Sequence, residues 1–66
     1  MKRGDKVKVL NTIGGNINEG TILEVYDFGY KVRVKSKRFS TTVMFEKNSL
    51  HGFDNGRYMQ IVGIIK

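Results

Sequence analysis

Lys31, Arg33 and Lys35 occupy alternate positions in YKVRVKSKR, the stretch from Tyr30 to Arg38, and Lys37 and Arg38 follow at once. Successive side chains of an extended chain point to opposite faces, so these three cations line one face about 7 Å apart. That step is comparable to the phosphate spacing of an extended single-stranded nucleic acid, and such a row can track its backbone. Phe39 comes next and offers a ring on which a base can stack. Lys31, Arg33, Lys35, Lys37, Arg38 and Phe39 are therefore the candidate nucleic-acid-binding residues. No acidic residue lies between Phe28 and Phe45. A plainer reading is that Glu24 and Glu46 neutralise Arg33 and Lys31, leaving a solvated outer strand face. Lys35, Lys37 and Arg38 have no acidic neighbour in sequence or in the strand pairing set out below, so they are the stronger half of the set.

Other chemistry has little to work with. His51 is the single histidine and sits beside Gly52, and the chain has no cysteine. A metal site needs several convergent nitrogen, sulfur or carboxylate ligands, so none is expected, and no disulfide forms. The carboxylates are scattered, and Ser36, Ser40 and Ser49 have no activating base nearby in the pattern. Gly14-Gly15 resembles a phosphate-cradling nest, but it lacks the lysine and following helix of a nucleotide-binding loop and reads as a plain flexible loop. No catalytic residue and no cofactor is expected, and an enzyme is disfavoured. Tyr26, Phe28 and Tyr30 cluster round Asp27. Aromatics beside an acid can cage a cation, yet Lys31 lies alongside, and packing at a rim suits them better. Phe28 at a turn apex is also a candidate contact for a partner protein.

Composition sets the frame. The 66 residues carry 12 Lys and Arg against six Asp and Glu, a net charge of +6. Long-range attraction then favours an anionic partner, although net charge also serves solubility. A chain this short buries only about 60% of its unfolded surface, which leaves a thin core and little room for a deep cleft. It reads as one domain, 1–66. MKRGDKVKVLN starts basic but has no long apolar run after it, so neither a signal peptide nor a membrane span is expected. A cytoplasmic location fits this pattern.

The elements that position the cations read as strands. There is no proline, no repeat and no helical periodicity, and period-two segments recur between turn residues. Strands are expected at Asp5–Leu10, Thr21–Tyr26, Tyr30–Lys35, Ser40–Glu46 and Tyr58–Ile65. Between them lie a long loop from Asn11 to Gly20, a tight DFGY connection in which Gly29 supplies a permissive backbone, and a SKRF turn. Lys47–Arg57 is expected to hold one short helical turn that plugs Leu50 into the core, then an Asn55-Gly56 turn. Pairing Tyr26 with Lys31 sets Val25 against Val32, Glu24 against Arg33 and Leu23 against Val34. Pairing Val34 with Val43 sets Val32 against Phe45 and Lys31 against Glu46. The expected core is Leu23, Val25, Val32, Val34, Val43 and Phe45, closed by Val7, Val9, Leu50, Val62 and Ile64. Ile22 and Ile61 fall on the wrong parity, and a bulge near Ile22 or Leu23 would bring Ile22 inward.

Five short strands in a meander describe a small, mostly antiparallel all-β barrel. GDKVKV followed by GTILEV resembles the opening of KOW and Tudor-type SH3-like domains, through Gly4, Val7, Val9, Gly20, Ile22 and Val25. YKVRV and VMFEKNSL are similar to the third strand, the fourth strand and the closing turn of that fold. Ile17 stands where KOW motifs usually carry a further glycine. The resemblance implies an SH3-like barrel that binds RNA, DNA or protein surfaces, and the fold alone does not choose among these. Two functions are expected from the residues and the resemblance together. One is a nucleic-acid-binding module, with single-stranded RNA or DNA favoured. The other is a protein-interaction module, such as an adaptor or a small phage or mobile-element inhibitor, docking its basic patch on an acidic partner.

Overall fold

The computed structural model describes residues 1–54 and 56–65. Six strands follow one another: β1 (Lys6–Asn11), β2 (Ile17–Val25), β3 (Gly29–Lys35), β4 (Ser40–Glu46), β5 (His51–Asp54) and β6 (Arg57–Ile65). Each pairs antiparallel with the next, and β1 pairs with β6, so the sheet closes into a barrel. This all-β architecture is consistent with the SH3-like barrel that the sequence resembles. The strand count is six rather than five. The added strand, β5, lies in the segment read as a loop. No helix among the described residues is long and apolar enough to cross a membrane.

Alternating β-branched residues supply the interior. Val7, Val9, Ile22, Tyr30, Val32, Val34, Val43, Phe45, Met59 and Ile61 are buried and form one cluster, with Met1 and Leu50 packed against it. Each fully buried side chain of this kind contributes about 1.5 to 3 kcal/mol, which a domain of this size needs.

Two bulges decide who enters this core. In β2 the register shifts at Leu23: Ile22 pairs with Val32 and Glu24 with Lys31. The extra residue resets the alternation, so Ile22 is 1% exposed, whereas Val25 stays 39% exposed and Leu23 half-buried. Between β1 and β6 the register shifts again, with Lys8 opposite Gly63 and Val9 opposite Ile61. Val62 is skipped and remains exposed, as does Ile64, while Met59 and Ile61 point inward. The bulge expected near Ile22 or Leu23 is present, but Leu23, Val25, Val62 and Ile64 are not core.

The hairpin registers also differ from expectation, by two residues between β3 and β4 and, between β2 and β3, by two beside the turn and three beyond the bulge. Val34 faces Gly20 and Thr41, Val32 faces Ile22 and Val43, and Tyr30 faces Val25 and Phe45. The slip of two between β3 and β4 keeps every side chain on its own face, whereas the three-residue shift beyond the β2 bulge puts Ile22 in the core in place of Leu23 and Val25. β2 is also longer than expected. Residues 17–20, expected as loop, are strand, and Gly20 is buried against the side chains of Val7, Val9 and Val32. A Cβ there would meet Val32 Cγ1 at 2.8 Å and Val9 Cγ2 at 3.0 Å.

Gly29 has a different role from the one its place in DFGY suggests. The turn is closed by Tyr26 N donating to Gly29 O at 2.7 Å and Gly29 N donating to Tyr26 O at 3.3 Å. Gly29's φ is not in the left-handed region; glycine is required because a Cβ would overlap the Phe45 carbonyl oxygen. The short turn after β4 forms as expected: Leu50 N donates to Glu46 O at 2.8 Å, and half-buried Leu50 joins the core with φ 59°. The expected Asn55-Gly56 turn includes Asn55, which lies outside the described residues.

Candidate nucleic-acid interface

The basic residues of β3 sit where alternation places them. Val32 and Val34 fill the barrel, and Lys31, Arg33 and Lys35 lie on its outer face. Lys37 and Arg38 are exposed on the β3–β4 turn. Ser36 builds that turn: its N donates to Phe39 O at 2.8 Å, and its Oγ accepts from the backbone N of Arg38 and of Phe39, each at 3.2 Å. A serine at this position thus fixes the backbone of Arg38 and Phe39 with local bonds.

The charges around them are not the expected ones. Arg33 stands between Thr21 and Thr42 and has no acidic partner across either strand. Glu24 faces Lys31 instead, and Glu46 faces Gly29. Lys35, expected to lack an acidic neighbour, faces Glu19, because the longer β2 carries Glu19 alongside β3. The Glu19 carboxylate is committed elsewhere. It pairs with Lys6 Nζ at 2.9 Å, the one ion pair among the described residues.

β2 pairs with β1 as well as β3, and this brings in two further cations. Lys6 and Lys8 alternate with buried Val7 and Val9, so they share the outer face with β3, two strand widths away. Lys6–Thr21–Arg33 and Lys8–Glu19–Lys35 form successive rows across β1, β2 and β3. At an interstrand spacing of about 4.8 Å, the β1 and β3 cations are roughly 10 Å apart. Five cations and two carboxylates, Glu19 and Glu24, share this face. Lys6-Val7-Lys8-Val9 carries the same alternation as β3, but only the pairing of β2 with both strands brings the two rows together.

Phe39 is half-buried, and the Arg57 guanidinium carbon lies 4.6 Å from its ring centroid. One ring face is thus already stacked by a cation from β6. Phe39, Lys35, Lys37 and Arg38 line an open cleft of about 840 Å³, whose other wall is formed by residues 16–19 of β2 and the loop before it. The loop is held by Asn11, whose Oδ1 accepts from Ile13 N at 3.1 Å and Gly14 N at 3.3 Å. Gly15 N donates to Asn11 O at 2.7 Å. The amides of a Gly14-Gly15 nest are therefore used inside the loop itself.

A second surface carries exposed aromatics. Phe28, Met44, Phe53 and Tyr58 line a shallow groove of about 530 Å³ with Glu46 and His51. Phe28 stacks on Tyr26 with ring centroids 5.2 Å apart, and Phe53 meets Tyr58 at 4.8 Å. Tyr30, grouped with Tyr26 and Phe28 by sequence, is buried, so the three do not form a cage. Met44, Phe53 and Tyr58 join Phe28 because β5 lies between β4 and β6 and brings the three strands' side chains to one groove, a placement the alternation alone does not give.

The chain matches no protein-family model, no curated protein and no solved structure. The geometry of the two surfaces is therefore what bears on function.

Proposed function

We propose that the chain is a small nucleic-acid-binding module of the KOW or Tudor-like type, with single-stranded RNA or DNA as its ligand. Lys31, Arg33, Lys35, Lys37 and Arg38 grip phosphates, and Phe39 stacks on a base by the ring face that Arg57 leaves open. The observation that carries the reading is the sharing of one outer face by Lys6, Lys8, Lys31, Arg33 and Lys35, continued by Lys37 and Arg38 on the adjoining turn. A basic surface three strands wide, with a stacking ring at its end, supports backbone tracking with little sequence dependence.

A salt titration of binding to generic single-stranded oligonucleotides tests it. Five phosphate contacts give a slope of log affinity against log salt near −3.5, at about −0.7 per contact on a single strand. Replacing Lys35, Lys37 and Arg38 together by serine leaves a slope near −1.4. Phe39→Ala lowers affinity by about 1 to 3 kcal/mol with little change of slope. Absence of binding to RNA and DNA at about 50 mM salt refutes the reading, since phosphate contacts are strongest there.

The second reading is a protein-interaction module. It draws on the aromatic groove, where Phe28 is 67% exposed and Phe53 58% exposed. Exposed aromatics around a shallow groove suit a protein contact, with the basic face docking on an acidic partner. This reading expects capture of an acidic protein and no affinity for either nucleic acid at low salt.

A further inference from the structure

We propose that the cleft between β2 and the β3–β4 turn is a base pocket that takes one unstacked adenine of the bound strand. The inference rests on the single-strand reading above and adds a base preference to it. The cleft, about 840 Å³, is ample for one nucleotide. Its two walls differ in chemistry. Lys37 and Arg38 bring cations on the turn side, where the phosphates pass. Asn16 and Asn18 bring carboxamides on the β2 side, with Ile17, 60% exposed, between them in sequence.

The two carboxamides are available. Asn11, the third asparagine of the cleft, spends its Oδ1 on the loop amides. Neither Asn16 nor Asn18 makes a side-chain hydrogen bond among the described residues. Asn18 is half-buried where β2 begins, so its side chain is positioned by a strand rather than a tip. A carboxamide sets a donor beside an acceptor. Adenine offers the complementary pair at N7 and N6, whereas guanine offers two acceptors on the same edge. Ile17 and Phe39 add apolar surface for the base to lie against, and a purine covers more of it than a pyrimidine. A base stacked inside a duplex does not enter such a cleft, so the pocket also selects single strands.

Fluorescence anisotropy with 12-nucleotide adenine, cytosine and uracil or thymine tracts, as RNA and as DNA, tests the pocket. Adenine tracts of at least one polymer bind about tenfold more tightly than pyrimidine tracts, the discrimination expected of one good bidentate contact. The RNA and DNA arms show which sugar is accepted. Asn18→Ala reduces the preference to about twofold while the salt slope stays the same. Asn16→Ala, at an exposed loop position, weakens the preference without touching the fold, and it covers the case in which Asn18→Ala melts the domain. Equal affinity for all tracts, a pyrimidine preference, or an adenine preference untouched by both variants overturns the pocket. If those tracts still bind with a steep salt slope, phosphate gripping stands and only the pocket fails. Absence of binding to every tract at about 50 mM salt ends both.

Discussion

Glu19→Gln is expected to tighten nucleic-acid binding. Glu19 stands between Lys8 and Lys35 on the outer face and holds Lys6 Nζ at 2.9 Å. Its removal does two things. Lys6 is released to contact a phosphate, which adds about 0.7 of a displaced counterion. Relative to 1 M salt that is roughly eightfold in affinity at 50 mM and about threefold at 200 mM. The variant also removes a like charge from beside the ligand. At a separation of roughly 7 Å in water that repulsion is about 0.6 kcal/mol before screening. The gain should therefore be on the order of tenfold at 50 mM and shrink as salt rises, and the salt slope should steepen from about −3.5 to about −4.2. Stability should hardly change. The two side chains are 58% and 51% exposed, and a surface pair of that kind is worth about 0 to 1 kcal/mol. Anisotropy titrations of the two proteins at four salt concentrations read both quantities. Glu46→Gln is the matched control, because it alters net charge equally but sits by the aromatic groove. Equal gains from the two variants, or none from Glu19→Gln, would show that the strand does not run across β1, β2 and β3.

Three further outcomes concern the frame that holds this face. Ile61→Ala should cost about 2 to 5 kcal/mol in urea melts followed by circular dichroism, enough to unfold much of so small a domain. Val62→Ala should cost within about 0.5 kcal/mol, and the reverse order would mean that the β1–β6 bulge is misplaced. Gly29→Ala should give no cooperative melt, because its Cβ meets the Phe45 backbone rather than a yielding side chain; a well-folded Gly29→Ala protein would contradict that packing.

Alternation was legible wherever valine and lysine took turns. Val7 and Val9, and Val32 and Val34, declare two inward faces, and Lys6, Lys8, Lys31, Arg33 and Lys35 must then point outward. A side-chain period of two requires this whichever strand lies alongside. The SKRF turn was also legible, since Ser36 closes it with bonds to residues two and three positions on. The β2 bulge was legible from the wrong parity of Ile22, and the β6 bulge was not. An extra residue in β2 or β6 costs little locally, and its gain, the burial of Ile22 or Ile61, exists only once the partner strand is in place.

The candidate site divides in the same way. Sequence alone determined which residues carry positive charge and that those of β3 share a face. Tertiary structure decided their neighbours. It set Arg33 between two threonines, laid Glu19 beside Lys35, joined Lys6 and Lys8 to the same surface, and placed Arg57 over Phe39. All but the last of these contacts follow from strand register, and Gly20, Ile22 and Val32 pack where β2 meets β3. A two-residue slip, as between β3 and β4, leaves every side chain on its own face, so the alternation in the sequence cannot choose between those registers. The fit of the closed core does.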